Sequence, residues 1–485
     1  MAALSEMRKA VIFSSLSKYS VMLITLVTTM VVARLLTPDE IGTFAVASAV
    51  VMLVSEFRIL GAGVYLVREE DLTRSKVRSA LGLTIIISWG LGIVVCLSAP
   101  WIARFYDLPE IKTIFWILAV SFFLAPYISV SSALLARHLQ FHLILRMQVA
   151  GTLVNLAVIV SLIQFGASFY ALAWGLSAGA LTRFLVAVFF LSPEQMTYRP
   201  QFRGLKAIAS VGIYSSLTNI LRKFTVVAPD LVIGKLGTTY QVSIFSRGLG
   251  FVQFVAESLM TSVSPVALPY LSRTRREGGD LSDAYQRATV LLGGLLWPVL
   301  AVASLASLPA IRLFFGSQWD AAAPLAGWLA LWAALRSVHW FSNQVLLAMH
   351  RERVMVLKEA GIFAILLAGI AFAYSGGLER IAQVFVLAGM LEVVVITLVL
   401  RKYLGMDSGG FVRAWVSNAA IAGLCALVAL GVRQVIDFEQ APPWQPAVAL
   451  VLVMPPVWLG LLWAFRHPLF DEFAGVLGTL RRKGE

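Results

Sequence analysis

Fourteen apolar runs, most of them twenty residues or longer, constrain this chain more than any other feature. They lie at 11–33, 41–67, 79–103, 113–135, 147–165, 169–190, 207–233, 241–270, 288–308, 322–348, 359–374, 381–400, 414–432 and 445–465. The hydrocarbon core of a bilayer is crossed by about 20 helical residues. Lipid offers the backbone no hydrogen-bond partners, so runs of this length read as helices. The run at 359–374 is short, and its start is read nearer Val354. The sequence therefore predicts an all-α polytopic membrane protein with 14 transmembrane helices. The connections at 309–321 and 433–444 hold 13 and 12 residues, too few for a soluble domain.

Composition removes the competing classes. Only 13% of the 485 residues are charged and 59% are hydrophobic, with a mean hydropathy of +0.83. So little charge cannot cover the surface of a soluble protein. A cytosolic enzyme, a secreted disulfide scaffold and a disordered chain are excluded. Cys96 and Cys425 each sit inside an apolar run, so no disulfide framework, thiol metal site or other metal centre is expected, and no cofactor. The run after Arg8 and Lys9 lacks a small-residue cleavage site and reads as the first span, not a signal peptide.

The net charge of +13 would suggest nucleic acid in a soluble protein. Here most basic residues sit in short loops, and no nucleic-acid partner is expected. With the N-terminus inside, the inner segments carry 25 Lys and Arg and the outer loops 7. This bias predicts both termini in the cytoplasm and an even number of spans.

A shift of 201 residues aligns Ile12–Phe57 with Ile213–Ser258 without a gap. IFSSLS meets IYSSLT, and the polar pairs Ser14/Ser215, Ser15/Ser216, Thr37/Thr238 and Glu56/Glu257 coincide. Both copies start from the same side, so the repeat is parallel and its axis runs along the membrane normal. The expected organisation is an N-terminal lobe of six helices (1–203), a C-terminal lobe of six (204–403), and two further helices with a cytoplasmic tail (404–485).

Two six-helix lobes and two extra helices resemble the multidrug/oligosaccharidyl-lipid/polysaccharide exporter superfamily. VVARLLTPDEIGTFAVASAV (31–50) and GAGVYLVREEDLT (61–73) are similar to its polysaccharide-transporter branch, the Wzx-type O-antigen and exopolysaccharide flippases. The resemblance implies a multi-pass protein of the bacterial inner membrane. Its partners would be a lipid-linked oligosaccharide, membrane lipids, H⁺ or Na⁺, and polymerase or export proteins of the same pathway. The lipid II flippase is a more distant relative, with basic residues of helices 1, 2 and 8 in a central cavity.

Ionisable residues inside spans are costly and carry a functional hypothesis. The basic set is Lys18, Arg58, Arg183, Arg222, Lys223, Arg247 and Arg336; the acidic set is Glu56, Asp230, Glu257 and Glu392. Seven against four makes a shared cavity electropositive, which suits a pyrophosphate bound by Arg and Lys. Lys18, Arg58, Arg222, Lys223, Arg247 and Arg336 are the candidate pyrophosphate and sugar ligands. Arg183 lies near an inner end, where snorkelling accounts for it. Glu56, Asp230 and Glu257 serve either ion coupling or charge pairing. Arg336 and His339 are one turn apart on a single helix face. Pro229 before Asp230 invites a bend in the seventh span. GLSAG (175–179) is a helix-packing device, and His138 and His142 form no metal motif.

Three functions fit the pattern. The first is a flippase moving polyprenyl-pyrophosphate-linked oligosaccharide by alternating access, for O-antigen, capsule or exopolysaccharide synthesis. The second is a cation-coupled multidrug antiporter of the same superfamily, for which an acidic cavity is expected. The third is a membrane enzyme such as a polymerase or ligase, which usually carries a large external loop. The short loops and the basic excess favour the first, a transporter and not an enzyme.

Overall fold

The computed structural model describes residues 2–59, 62–192, 196–209 and 213–473. Gly61, the side chain of Ser215 and the tail beyond Phe473 lie outside the described residues. The helices are α1 Ala2–Leu35, α2 Pro38–Glu56, α3 Ala62–Arg68, α4 Arg74–Tyr106, α5 Glu110–Arg137, α6 Phe141–Gln164, α7 Tyr170–Phe190, α8 Leu205–Ala209 and α9 Ile213–Leu236. There follow α10 Thr239–Arg276, α11 Leu281–Leu305, α12 Ser307–Phe315, α13 Ala323–Ser337, α14 Ser342–Ala348, α15 Glu352–Ala373, α16 Leu378–Leu404, α17 Ser408–Val435 and α18 Trp444–Ala464. No strand occurs among the described residues.

Twelve helical segments of the described chain are long and apolar enough to cross a membrane. They are α2, α4 to α7, α11, α16 to α18, Ile12–Leu35 of α1, Ser317–Ala348 and Glu352–Gly376. α9 and α10, with 24 and 38 residues, are long enough but are not among these twelve. α9 holds Arg222, Lys223, Asp230 and Lys235, and α10 holds Arg247, Glu257 and a basic end. The all-helical membrane fold stands, and an expected count of fourteen rests on these two helices. Val451, Leu452 and Trp463 of α18 are about 70% exposed, which only lipid makes tolerable.

Some boundaries differ from the sequence reading. The 41–67 run is not one helix: α2 stops at Glu56 and tightens into a 3-10 turn, Phe57–Ile59. The 322–348 run breaks after Ser337, for a visible reason. Trp297 Nε1–H and Ser337 Oγ–H both donate to Ala334 O, at 2.9 and 2.7 Å. That carbonyl is the helical acceptor for Val338, whose N–H turns to Leu335 O instead. α15 starts at Glu352, two residues before the expected Val354, and Lys358 lies inside it. The 309–321 connection is itself helical in α12.

Helix starts follow local chemistry. Thr37 caps α2, accepting from the Glu40 N–H while the Glu40 carboxylate accepts from the Thr37 N–H at 2.8 Å. Thr238 and Gln241, 201 residues on, repeat the exchange at the start of α10, with both bonds 3.2 Å long. Asp280 and Asp407 cap α11 and α17.

A proline inside a helix leaves a carbonyl four residues earlier without its helical donor. In α4, α5 and α11 that carbonyl takes a side-chain donor from a neighbouring helix. Phe122 O, orphaned by Pro126, accepts from Ser88 Oγ–H at 2.7 Å. Gly294 O, orphaned by Pro298, accepts from Trp458 Nε1–H at 2.9 Å. Cys96 O, orphaned by Pro100, accepts from Trp116 Nε1–H at 3.4 Å. These bonds tie α4 to α5 and α11 to α18.

The chain forms two compact units, Met1–Ser243 and Ile244–Glu485. In the first, α1 packs on α6, α6 on α7, α4 on α5, and α2 on α9. Gly151, Gly175 and Gly179 let α6 and α7 approach backbone to backbone: a Cβ on Gly179 would stand 2.7 Å from Gly151 O. The GLSAG stretch is thus a packing device, as its spacing suggests. In the second unit α11 packs on α17 and α13, α13 on α16, α15 on α16, and α17 on α18.

Candidate functional site

In the first unit the end of α2 gathers charge beside α9. The Arg58 Nε–H donates to Ser55 O at 3.2 Å, and its guanidinium lies 4.6 Å from the Phe122 ring centre. Both Arg58 and Glu56 are half-buried. Phe57 meets Phe224 edge to face at 6.4 Å, which sets Glu56 and Arg58 near the α9 segment holding Arg222 and Lys223. Arg222, Lys223 and Asp230 are half-buried, and α9 runs unbroken through Pro229. Lys18 is exposed at the middle of α1, the helix that packs on α6.

In the second unit the arginines are held apart. Arg247 of α10 lies between two rings, 4.8 Å from Phe315 and 4.6 Å from Trp319. Its Nε is buried with no hydrogen-bond partner. Arg336 of α13 approaches Glu392 of α16 at 3.5 Å, with side chains 15% and 8% exposed. Trp332 lies 5.0 Å below the same guanidinium. Glu257 is exposed on α10. Arg58, Arg247 and Arg336 thus share one device. A ring face attracts the cation and shields it, while the N–H edge stays directional.

The sequence reading missed three buried polar clusters. Lys358 Nζ–H donates to Asn343 Oδ1 at 2.8 Å and Ser342 Oγ at 3.0 Å and pairs with Glu359 at 3.1 Å. Asn343 Nδ2–H donates to the same Glu359 oxygen at 2.9 Å. The signal was a Lys-Glu doublet at the edge of an apolar run facing Ser-Asn in the previous one. In the second cluster His339 stands in the break after α13. Thr397 spends its hydroxyl hydrogen on Val393 O, so it accepts from His339 Nε2–H at 2.9 Å. His339 Nδ1 meets the Tyr285 hydroxyl at 2.8 Å. Arg336 and His339 both reach α16, but from either side of a helix end.

The third cluster joins the chain after α18 to α17. His467 is 1% exposed; its Nδ1 accepts from the Leu469 N–H and its Nε2–H donates to Asn418 Oδ1 at 2.8 Å. Asn418 in turn donates to Val290 O. Burial pushes the His467 pKa below its ordinary value of 6.5. Gly294 makes the room, since a Cβ there would stand 2.5 Å from the imidazole. Among the described residues no group of His, Cys, Asp and Glu is placed to hold a metal, and Cys96 and Cys425 are free thiols.

The sequence pattern of the family described as "Polysaccharide biosynthesis protein" matches residues 31–324, more than half of the chain. The chain belongs to this family. As a polysaccharide biosynthesis protein it is 22% identical over 388 residues to the teichuronic acid biosynthesis protein TuaB of Bacillus subtilis (strain 168). That alignment covers 77% of this chain and 78% of the relative. It is 21% identical over 397 residues to the lipopolysaccharide biosynthesis protein WzxC of Escherichia coli (strain K12), covering 77% and 75%. Its fold is similar to that of the lipid II flippase MurJ in an inward closed conformation, with a TM-score of 0.76 at 14% identity, over 94% of this chain and 98% of the other. An inward-facing multidrug resistance MATE family transporter of the MOP superfamily matches with a TM-score of 0.62 at 14% identity, over 79% and 94%. At such identity the likeness is one of fold. The polysaccharide-transporter branch expected from 31–50 is the branch found, and the protein is a multi-pass membrane protein.

Proposed function

We propose that this protein is a flippase that carries polyprenyl-pyrophosphate-linked oligosaccharide across the bacterial inner membrane for polysaccharide biosynthesis. The observation that carries the reading is the family match over 31–324, joined to a fold shared with a lipid II flippase. The basic excess among the intramembrane charges favours this over the drug antiporter, whose cargo is cationic. The relatives' printed roles in polysaccharide biosynthesis and transport favour a carrier over a polymerase or ligase.

In this reading fourteen helices cross the membrane with both termini cytoplasmic, α9 and α10 supplying two of them. The lobes are residues 1–203 and 204–403, with 404–485 appended; the equivalent caps at Thr37 and Thr238 support that repeat. Lys18, Arg58, Arg222, Lys223, Arg247 and Arg336 take the pyrophosphate and sugars. Glu56, Asp230 and Glu257 couple transport to H⁺ or Na⁺ or neutralise neighbouring arginines. Pro229 lets α9 bend as access alternates. Polymerase and export proteins of the same pathway take the product.

The test is export in cells that lack their own flippase for a defined lipid-linked oligosaccharide. Wild type should restore surface polysaccharide, and Lys18→Ala and Arg222→Ala should each abolish it at near-normal protein levels. Normal export by both variants would remove these residues from the substrate site. Failure of the wild type on every lipid-linked substrate offered, with drug efflux instead, would favour the antiporter.

A further inference from the structure

A cavity of about 810 Å³ opens in the first unit, away from the charges assigned above to substrate. It forms where the α3–α4 connection, the end of α5 and the extended segment 196–201 meet. Its walls carry Arg74, Arg78, Arg137 and Arg199 against Glu70 and Asp71. Arg137 is committed to the wall, donating to Leu66 O, Glu69 O and Glu70 O at the end of α3. Arg74, Arg78 and Arg199 are exposed, and no carboxylate among the described residues pairs with them.

Basic residues on the inner side of a membrane protein set its orientation wherever they sit in the loops. Orientation does not require them to converge on a concave surface. Here the wall is built: the Gln201 N–H donates to Arg78 O at 3.0 Å, and Ser75 Oγ–H donates to Gln201 Oε1 at 2.9 Å. Those bonds fasten the segment carrying Arg199 onto the first turns of α4, beside Arg74 and Arg78. A Cβ on Gly82 would stand 2.2 Å from Gln201 O, so the contact is close-packed. The volume falls in the range of about 300–1,000 Å³ typical of small-molecule sites. Guanidinium groups bind phosphate oxygens bidentately and retain their charge at any physiological pH.

We propose that this cavity is a binding site for a lipid phosphate group at the inner leaflet, held by Arg74, Arg78 and Arg199. It rests on the reading above only for the side of the membrane. Two lipids present this chemistry there: an anionic phospholipid, and a polyprenyl diphosphate carrier before it enters the transport path. A phospholipid would act as a resident anchor, and a carrier would be concentrated at the entrance.

The test uses the purified full chain and two soluble probes, dioctanoyl phosphatidylglycerol and farnesyl diphosphate, titrated by calorimetry. The proteins are wild type, Arg78→Gln/Arg199→Gln, and Arg78→Lys/Arg199→Lys. The Gln pair should weaken at least one probe about tenfold, and the Lys pair, which keeps charge without the bidentate fork, by less. Loss confined to the phosphatidylglycerol assigns the site to the leaflet lipid, and loss confined to the diphosphate assigns it to the carrier. Equal loss of both assigns it to the shared phosphate. Should the Gln pair misfold, the Lys pair carries the test, with a several-fold loss expected. No saturable binding to wild type, or unchanged affinity in a well-folded variant pair, overturns the proposal. Export is not the readout, so a chain that binds but does not export would sink the flippase reading and leave this site standing.

Discussion

Arg336 and Glu392 show what a buried charge requires at the scale of one residue. A lone guanidinium inside the helices is costly, and the sequence marks it as functional for that reason. The structure supplies Glu392 at 3.5 Å and the Trp332 face at 5.0 Å. Removing one partner of such a pair costs about 3 kcal/mol, because the other charge stays buried, whereas removing both costs far less. Arg336→Ala should therefore lower the thermal midpoint clearly, and Arg336→Met/Glu392→Leu should recover most of it. If the double variant is stable yet does not export, Arg336 also serves substrate; if it exports normally, the pair is structural. His467 gives a pH prediction. Its folded pKa lies below 6.5, so the unfolded chain takes up the proton first. Stability is complete above about pH 6.5 and falls as pH drops toward the folded value. Melting in detergent should show that loss in wild type and a flatter profile in His467→Gln; identical profiles would discard the assignment. The positions of Arg336 and Glu392 were legible in the sequence. The pairings were not, because Glu392 is 56 residues from Arg336 and His467 is 49 from Asn418.

Elements are held to one another by the backbone groups that prolines expose. Each orphaned carbonyl at Cys96, Phe122 and Gly294 is bonded by a side chain one helix away. An unsatisfied carbonyl in a low-dielectric interior costs about 1–3 kcal/mol. Trp458→Phe should lose stability of that order, but only while Pro298 is present. Pro298→Ala restores an N–H to Gly294 O, so adding Trp458→Phe to it should cost much less. Equal losses in both backgrounds would mean that packing, not the hydrogen bond, is what Trp458 supplies. Close approach sets a second constraint. A Cβ on Gly42 would stand 1.8 Å from Thr239 O, where Thr239 Oγ1–H also donates to Asp39 at 2.8 Å. Gly42→Ala should cost about 1–3 kcal/mol by overpacking, while Gly250→Ala, with open space around it, should be neutral or better. Hydropathy placed most spans, since α4 to α7 and α16 to α18 follow their apolar runs closely. It failed where hydrogen bonds or polarity override it. The break at Val338 comes from a donor on Trp297, 37 residues from Ala334, and Lys358 inside α15 is held by oxygen ligands.

Across the whole molecule the decisive quantity is the asymmetry of charge between the two ends of the helices. Of the 25 basic residues counted on the inner side, Lys358 is buried in α15, so 24 remain against 7 outside. A bias of that size predicts the orientation through the cost of translocating positive loops. α9 and α10 are the test of it, being long but outside the twelve. If both cross, Glu70 and Glu277 share the inner side, and Asp107, Gln318 and Glu439 the outer. If neither crosses, the chain between α7 and α11 stays on the inner side with an even count preserved. The outer positions then do not move, so loop labels beyond α10 cannot separate the two cases. A label between α9 and α10 can. Thr238→Cys would disturb the cap, so Leu236→Cys, exposed at the end of α9, is the better site. A membrane-impermeant maleimide should label it from the outside in intact cells, with Glu70→Cys and Glu277→Cys protected until the membrane is opened. Labelling of Leu236→Cys only from the inside would leave twelve spans, remove α9 and α10 from the bilayer, and take Arg222, Lys223 and Arg247 out of any transmembrane path.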